Sequence, residues 1–420
     1  MVRRLKQGLY RIGSINLWMA IAASAIAALM LLAASKAEGQ TYTLLHNFSG
    51  PDGAAPYGTL TMDRAGNLYG TTYFGGNGCG GYGCGTVFKL THKNSGWILA
   101  RLYSFQGGND GEYPLAGVTI GPDGSLYGTT SAGGGNPPIC TSPVGGPGCG
   151  TIFKLQPPAT ACTTALCPWT ETVLYRFMGG SDGAYPGYGN LVFDQTGNLY
   201  GTTEGDEFSN QATAFKLSRS GSGWTKSLVY NFGYIFVGSG MIFDHAGNLY
   251  GTTADSGGWG TVYELIPSGS GWTETTLYQF QNDGDGYEPL GGVAFDQAGN
   301  LYGTTFNDGG RVYELSPSAG GWIYSSLYYF NSYEGSYSGP TVDAVGNVYG
   351  VMSIQSLVFK LAFSNGGWSE TDLTDFGGDP IPVGGVILDG NGNIYGTTSM
   401  GGTGSCRGVP CGDIFEITPN

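Results

Sequence analysis

The chain is predicted to be all-β: a seven-bladed β-propeller of four-stranded blades. Three observations predict it. The run Asn67-Leu68-Tyr69-Gly70-Thr71-Thr72 returns, with small changes, at residues 125–130, 198–203, 248–253, 300–305, 347–352 and 393–398. Each copy sits among four short strand-like runs. The repeat tyrosines, at 69, 127, 200, 250, 302, 349 and 395, are spaced 58, 73, 50, 52, 47 and 46 residues apart, close to the 40 to 50 of a four-stranded blade. A parallel β-helix is the structural rival, but its coils are shorter and need no antiparallel four-strand unit.

Composition agrees. Gly is 78 of 420 residues and charged residues are 11%, against about 25% in typical domains. The 13% aromatic and 40% hydrophobic content supplies a core that a low-complexity chain would lack. The formal charge is −14, and without Arg3, Arg4, Lys6, Arg11 and Lys36 it becomes −19. Such a surface repels phosphate backbones, so no nucleic-acid partner is expected. A monomer is expected.

Taken in order, residues 1–37 have the pattern of a secretory signal: four basic residues, an apolar run from Ile15 to Ala34, then Ser35-Lys36-Ala37. Cleavage after Ala37 leaves 38–420 as a single propeller in a secreted or periplasmic setting. An uncleaved anchor is the competing reading, and membrane contact is expected only through this segment. The cysteines fall as Cys79/Cys84, Cys140/Cys149, Cys162/Cys167 and Cys406/Cys411, each couple inside one predicted loop. Local disulfides are favoured, although eight cysteines allow 105 pairings. A zinc site is disfavoured, because the pairs lie in distant repeats.

The fifth repeat shows the four strands, here lettered A to D. Residues 291–296 give A, 300–305 give B, 311–315 give C and 322–330 give D. Between A and B stands Asp-x-x-Gly-Asn, where Asp accepts backbone N–H bonds and Gly takes positive φ. Asp63, Asp194, Asp244, Asp296, Asp343 and Asp389 hold that place, and Gly121 replaces them in the second repeat. In D, strict alternation puts Trp272, Glu274, Thr276, Tyr278 and Phe280 on one face and Leu277 on the other. The same frame links Trp97 with Phe105, Trp169 with Phe177, Trp224 with Phe232, Trp322 with Phe330 and Trp368 with Phe376.

The phase of the repeat predicts how the ring closes. The chain opens on a D-like run from Tyr42 to Phe48, with Gln40 at the Trp place, and ends on a C-like run from Gly412 to Ile417. The N-terminal strand is therefore expected to join the C-terminal blade as its outer strand.

The frame GNLYGTT, Gly-rich loop, GTVFKL, GWTETTLYQF, DGxxP, GGVAFD resembles the GloVer tandem repeats of secreted bacterial proteins, the choice-of-anchor tandem repeat GloVer-containing family. NHL-type propellers are a more distant likeness. The resemblance implies a secreted propeller and no defined activity. No C-terminal sorting segment is read after Ile417.

For function, the B–C and D–A loops share one face. The D–A loops carry Asp-Gly-x-x-Pro at 52–56, 110–114, 182–186 and 285–289. Asp110, Asp182 and Asp285, with Tyr57, Tyr113, Tyr185, Tyr188 and Tyr287, are the candidate ligand-binding residues. Tyrosines and carboxylates suit a carbohydrate or protein partner; a turn role for Asp-Gly and Pro is the plainer alternative. The run 282–286 looks partly like a calcium loop but lacks the first acid and a bidentate Glu. His46, His92 and His245 fall in separate repeats, and no HExxH, GxSxG or phosphate loop occurs. No catalytic residue and no cofactor is expected. The alternative is a metal-dependent gluconolactonase-like or lyase-type enzyme, which would draw on Glu112, Glu204, Asp206, Glu207, Asp255, Glu288 or Asp308 at the channel mouth.

Overall fold

The computed structural model describes residues 40–419, except 95, 136–139, 141–146, 159–168, 188, 206–209, 239, 255–258, 332–334, 378–379 and 407. The expected signal segment, Cys162, Cys167 and Tyr188 lie outside the described residues.

Seven four-strand blades form a β-propeller with almost no helix, and every described strand pairing is antiparallel. In the fifth blade, A is Ala294–Phe295, B is Leu301–Thr305, C is Arg311–Ser318 and D is Gly321–Tyr329. The inner strand is thus only two residues long. The fourth sheet gains Phe236–Val237, paired with the far end of its B strand. The seventh contains Ile387–Leu388, Ile394–Thr398 and Asp413–Thr418, with Thr41–Asn47 beside Asp413–Thr418 at its outer edge. Phe48 N donates to Gly412 O (3.1 Å). Leu45 and Phe48 share a core with Leu68, Phe88 and Ile414.

Each residue of the recurrent strand has a separate task. Leu68 enters the core between sheets with no exposure. Tyr69 sends its hydroxyl to Asp63 (3.0 Å). Gly70 lies opposite Phe88, and a Cβ there would meet that ring at 2.6 Å; all seven copies place this Gly against a Phe or Tyr of strand C. In four copies the first Thr reaches the next blade, as in Thr71 Oγ1 to Ala116 O (2.6 Å) and Thr397 Oγ1 to Pro56 O (3.3 Å), whereas Thr129 Oγ1 is buried without a partner. The second Thr pairs with strand C of its own blade, Thr72 with Thr86 at 2.8 Å. In the sixth blade both are replaced, and Val351 and Met352 are buried in apolar clusters instead.

The turn aspartates act as expected. Asp63 accepts bonds from Ala65 N, Asn67 N and Asn67 Nδ2 at 2.7 to 2.9 Å. In the second blade, where Gly121 takes the place, Asp123 receives Ser125 N and Tyr127 Oη and pairs with Lys154 (2.8 Å).

The single-face reading of strand D is corrected. A register shift opens in C–D pairing in each of the first six blades, for example between Val262 and Tyr263 opposite Tyr278 and Thr276. The extra residue of a β-bulge reverses the alternation beyond it. Trp272 therefore packs against the preceding blade, with Tyr200 at 5.9 Å. Phe280 packs against the following one, with Tyr313 at 5.3 Å. One strand feeds two inter-blade cores, and full burial of each such Phe stabilises by about 1.5–3 kcal/mol.

Candidate functional site

The B–C and D–A loops of one face are built around a repeated bridge. The residue before Pro in the four Asp-Gly-x-x-Pro motifs (Ala55, Tyr113, Tyr185 and Glu288) has φ of 52° to 60°. Its N–H donates to the preceding blade's B–C loop, at Cys411, Cys84, Cys149 and Trp259 O respectively, at 2.8 to 2.9 Å. Its carbonyl accepts from the residue just past strand B of its own blade, at Tyr73, Ser131, Glu204 and Phe306 N. The left-handed backbone lets one residue face both blades. Three of the four partners are the second cysteine of a disulfide: Cys79–Cys84, Cys140–Cys149 and Cys406–Cys411.

The motif aspartates are used within these loops. Asp110 accepts Tyr103 Oη (2.9 Å) and Gln106 N (2.6 Å). Asp182 accepts Tyr175 Oη, Met178 N and Lys226 Nζ, each at 2.8 Å. Asp285 accepts Tyr278 Oη (2.8 Å) and Gln281 N (2.9 Å). The tyrosines separate: Tyr185 joins the core of blades 2 and 3, and Tyr287 meets Trp259 at 5.1 Å. Tyr113 is buried, stacked on Tyr73 at 5.0 Å, and Tyr57 meets the same ring edge-on at 5.5 Å.

That tyrosine cluster borders a groove of about 640 Å³ between blades 7 and 1. One wall is the loop closed by Cys79–Cys84; the other is the small hairpin Ser405–Cys406 with Val409–Pro410. Phe74 continues the aromatic row outward, 5.6 Å from Tyr113 and 6.0 Å from Tyr82. Tyr82 (56% exposed), Val409 (51%) and Met400 (40%) present apolar surface to solvent. No described lining residue carries a charge, and Ser49, Asn77 and Ser405 add neutral polar groups. Tyr73, Phe74 and Tyr82 were not among the sequence candidates. Their signal was the departure at residue 73, where the other copies continue with Ser131, Glu204, Ala254, Phe306, Ser353 and Ser399.

The acids expected near the channel do not form one group among the described residues. Glu288 accepts from Asn307 (2.6 Å), and Asp308 pairs with Arg311 (3.3 Å). Burial pushes the Glu204 carboxyl up to about 7. Asp206, Glu207 and Asp255 lie outside the described residues. The central cavity, about 240 Å³, is lined by Tyr57, Thr59, Asn190, Tyr337, Ser338, Thr341, glycines and apolar residues. Cys79, Cys84 and Glu112 converge as metal ligands would, but the two sulfurs are bonded to each other and offer no thiolate.

No curated protein matches the chain significantly. Among solved structures, a candidate 6-phosphogluconolactonase from Bacteroides uniformis is 11% identical over 77% of this chain and 83% of that one, with TM-score 0.50. Another from Bacteroides fragilis is 13% identical over 75% and 82%, with TM-score 0.49. A gluconolactonase from Xanthomonas campestris is 13% identical over 60% and 75%, with TM-score 0.38. At such identities the likeness is one of fold. The sequence itself matches the Gloeobacter/Verrucomicrobia repeat over residues 34–240 and again over 236–410, so the chain belongs to that repeat family.

Proposed function

We propose that the chain is an exported binding module, and that the groove between blades 7 and 1 takes an uncharged carbohydrate. The observation that carries this reading is the groove's lining. Exposed aromatic and aliphatic surface lies beside neutral hydrogen-bonding groups, with no described charge. Sugar rings offer apolar faces for stacking and hydroxyls for neutral polar partners. Export is supported by the three disulfides, which persist in oxidising compartments. The lactonase or lyase reading finds no carboxylate or imidazole in the described lining of the central cavity, so the groove is the better-supported site.

A neutral-glycan array followed by titration calorimetry tests the proposal. Tyr82→Ala, an exposed change, is expected to leave the melting temperature unaltered and weaken binding at least tenfold, about 1.4 kcal/mol. An empty array, or equal affinity for the variant, would overturn it.

A further inference from the structure

Each described disulfide on the loop face packs against the third residue of the motif in the next blade. That residue is Ala54 beside Cys406–Cys411 and Ala184 beside Cys140–Cys149, both buried. Beside Cys79–Cys84 it is Glu112, only 4% exposed, with Oε2 at 3.1 Å from Cys79 Sγ. Two sister sites perform the packing task with a methyl group, so packing does not call for a carboxyl. Burying one costs free energy unless its oxygens find donors. While the disulfide is intact, Cys79 has no hydrogen to give. Burial accordingly pushes the Glu112 carboxyl above its ordinary range, opposed by a backbone bond from Gly108.

The sulfurs are also set differently from ordinary staples. Cys79 is half-buried and has φ of +41°, in the left-handed region that side chains disfavour. Gly78 and Gly107 lie close over the bond: a Cβ would come within 2.8 Å of Cys84 Sγ at the first and 3.1 Å of Cys79 Sγ at the second. Cys84 is fully buried and Cys79 is not, so attack by a thiol is assigned to Cys79.

We propose that Cys79–Cys84 is a thiol–disulfide exchange site for low-molecular-weight thiols, and that Glu112 favours its reduced form by accepting a hydrogen bond from the Cys79 thiol. In the first step a thiolate attacks Cys79 Sγ. The Cys79–Cys84 bond breaks, a mixed disulfide forms at Cys79, and the electron pair leaves on Cys84 Sγ, which takes a proton. A second thiolate attacks the external sulfur of the mixed disulfide and releases Cys79 thiolate. That sulfur is protonated and its S–H turns to Glu112 Oε2. Two external thiols are oxidised to one disulfide, and the protein disulfide is reduced to two thiols. The carboxylate thereby gains a second donor beside the Gly108 N–H. Cys406–Cys411 offers no such gain, because Ala54 accepts nothing; at Cys140–Cys149 Ala184 likewise accepts nothing, and the one acceptor beside Cys140 Sγ, Asn210 Oδ1, is 3.9 Å away and already receives Gly180 N.

Equilibrating the folded protein in reduced and oxidised glutathione mixtures, then mapping free thiols by alkylation and mass spectrometry, tests the proposal. Cys406–Cys411 is the internal control, with the same separation of five residues and one half-buried cysteine. The equilibrium constant for reducing Cys79–Cys84 is expected to exceed the control's at least tenfold, about 30 mV. Glu112→Ala, which copies the sister sites, is expected to bring the two within threefold. Glu112→Gln keeps an acceptor oxygen and should fall between. Equal constants in the unaltered protein would overturn the proposal. So would an excess that survives Glu112→Ala, which would assign the effect to the Cys79 backbone.

Discussion

Aspartates serve the two faces of the ring in different ways. On the A–B turn face, Asp63 and the five aspartates at its place bind groups no more than six residues away, so each of those blades carries its own clamp; in blade 2 Asp123 also reaches Lys154 and Arg219. On the loop face, Asp182 gathers Tyr175 and Met178 from the preceding strand and loop, but also Lys226 from the outer strand of blade 3. The disulfides follow the same division, since each described one sits in a B–C loop whose carbonyl caps the next blade's motif. The uniform turn aspartates thus hold each blade together internally, while the uniform first Thr ties neighbouring blades. The variable residues of the loop face also hold blades to one another.

That contrast can be tested most severely at the outer edge of the seventh sheet. Deleting residues 38–48 removes Leu45 and Phe48 from the core they share with blade 1. It should lower the melting temperature more than any point change, and unchanged thermal unfolding would show that the ring does not depend on this strand.

Next in size is a matched pair of substitutions. Asp182→Ala takes the carboxylate from Lys226, whose side chain is only 5% exposed and which keeps the carbonyl of residue 182, and a buried ammonium without its counter-charge costs about 3 kcal/mol. Asp63→Ala leaves turn N–H groups that water can reach, at about 1–2 kcal/mol. Denaturant unfolding of both variants should preserve this order; a reversal would remove the distinction between local clamp and inter-blade tie.

The smallest effect concerns the same place in blade 2. There Glu171 stands two residues after Trp169, as Lys226 stands two after Trp224. Burial first, and the charge of Asp110 second, push its carboxyl from 4.5 up to about 8. A carboxyl that keeps its proton longer when folded makes stability fall as pH rises from about 4.5 to about 8, and level off above. Glu171→Lys should remove that slope. It should add about 1 kcal/mol at pH 8, a figure reduced for the group's partial exposure. Parallel pH–stability curves for the two proteins would contradict it.

Much of the architecture was legible because the repeat is written in local chemistry. The Asp-x-x-Gly-Asn turns could be assigned from Asp63 and Gly66 alone, since their hydrogen bonds close within a few residues. The face of strand D was misread at Leu277, because a bulge depends on what strand C offers opposite and leaves no mark in the alternation. The candidate aspartates were placed on the right loops, yet Asp110 and Asp182 spend their oxygens on the preceding strand and loop, and Asp285 spends Oδ2 in the same way while its Oδ1 is buried without a partner. The aromatic row through Tyr73, Phe74 and Tyr82 was missed, since only the approach of blades 7 and 1 turns those side chains into one wall.

By itself, then, the sequence determined the seven blades, their four-strand plan, the turn clamps and the local pairing of the three described disulfides. All of these rest on contacts short in sequence. Tertiary structure alone decided which Trp and Phe rings meet, that a left-handed residue joins each staple to the next blade, and that Glu112 replaces a methyl group against one disulfide. Those facts depend on packing between blades some fifty residues apart in the chain, where no local preference reports the partner.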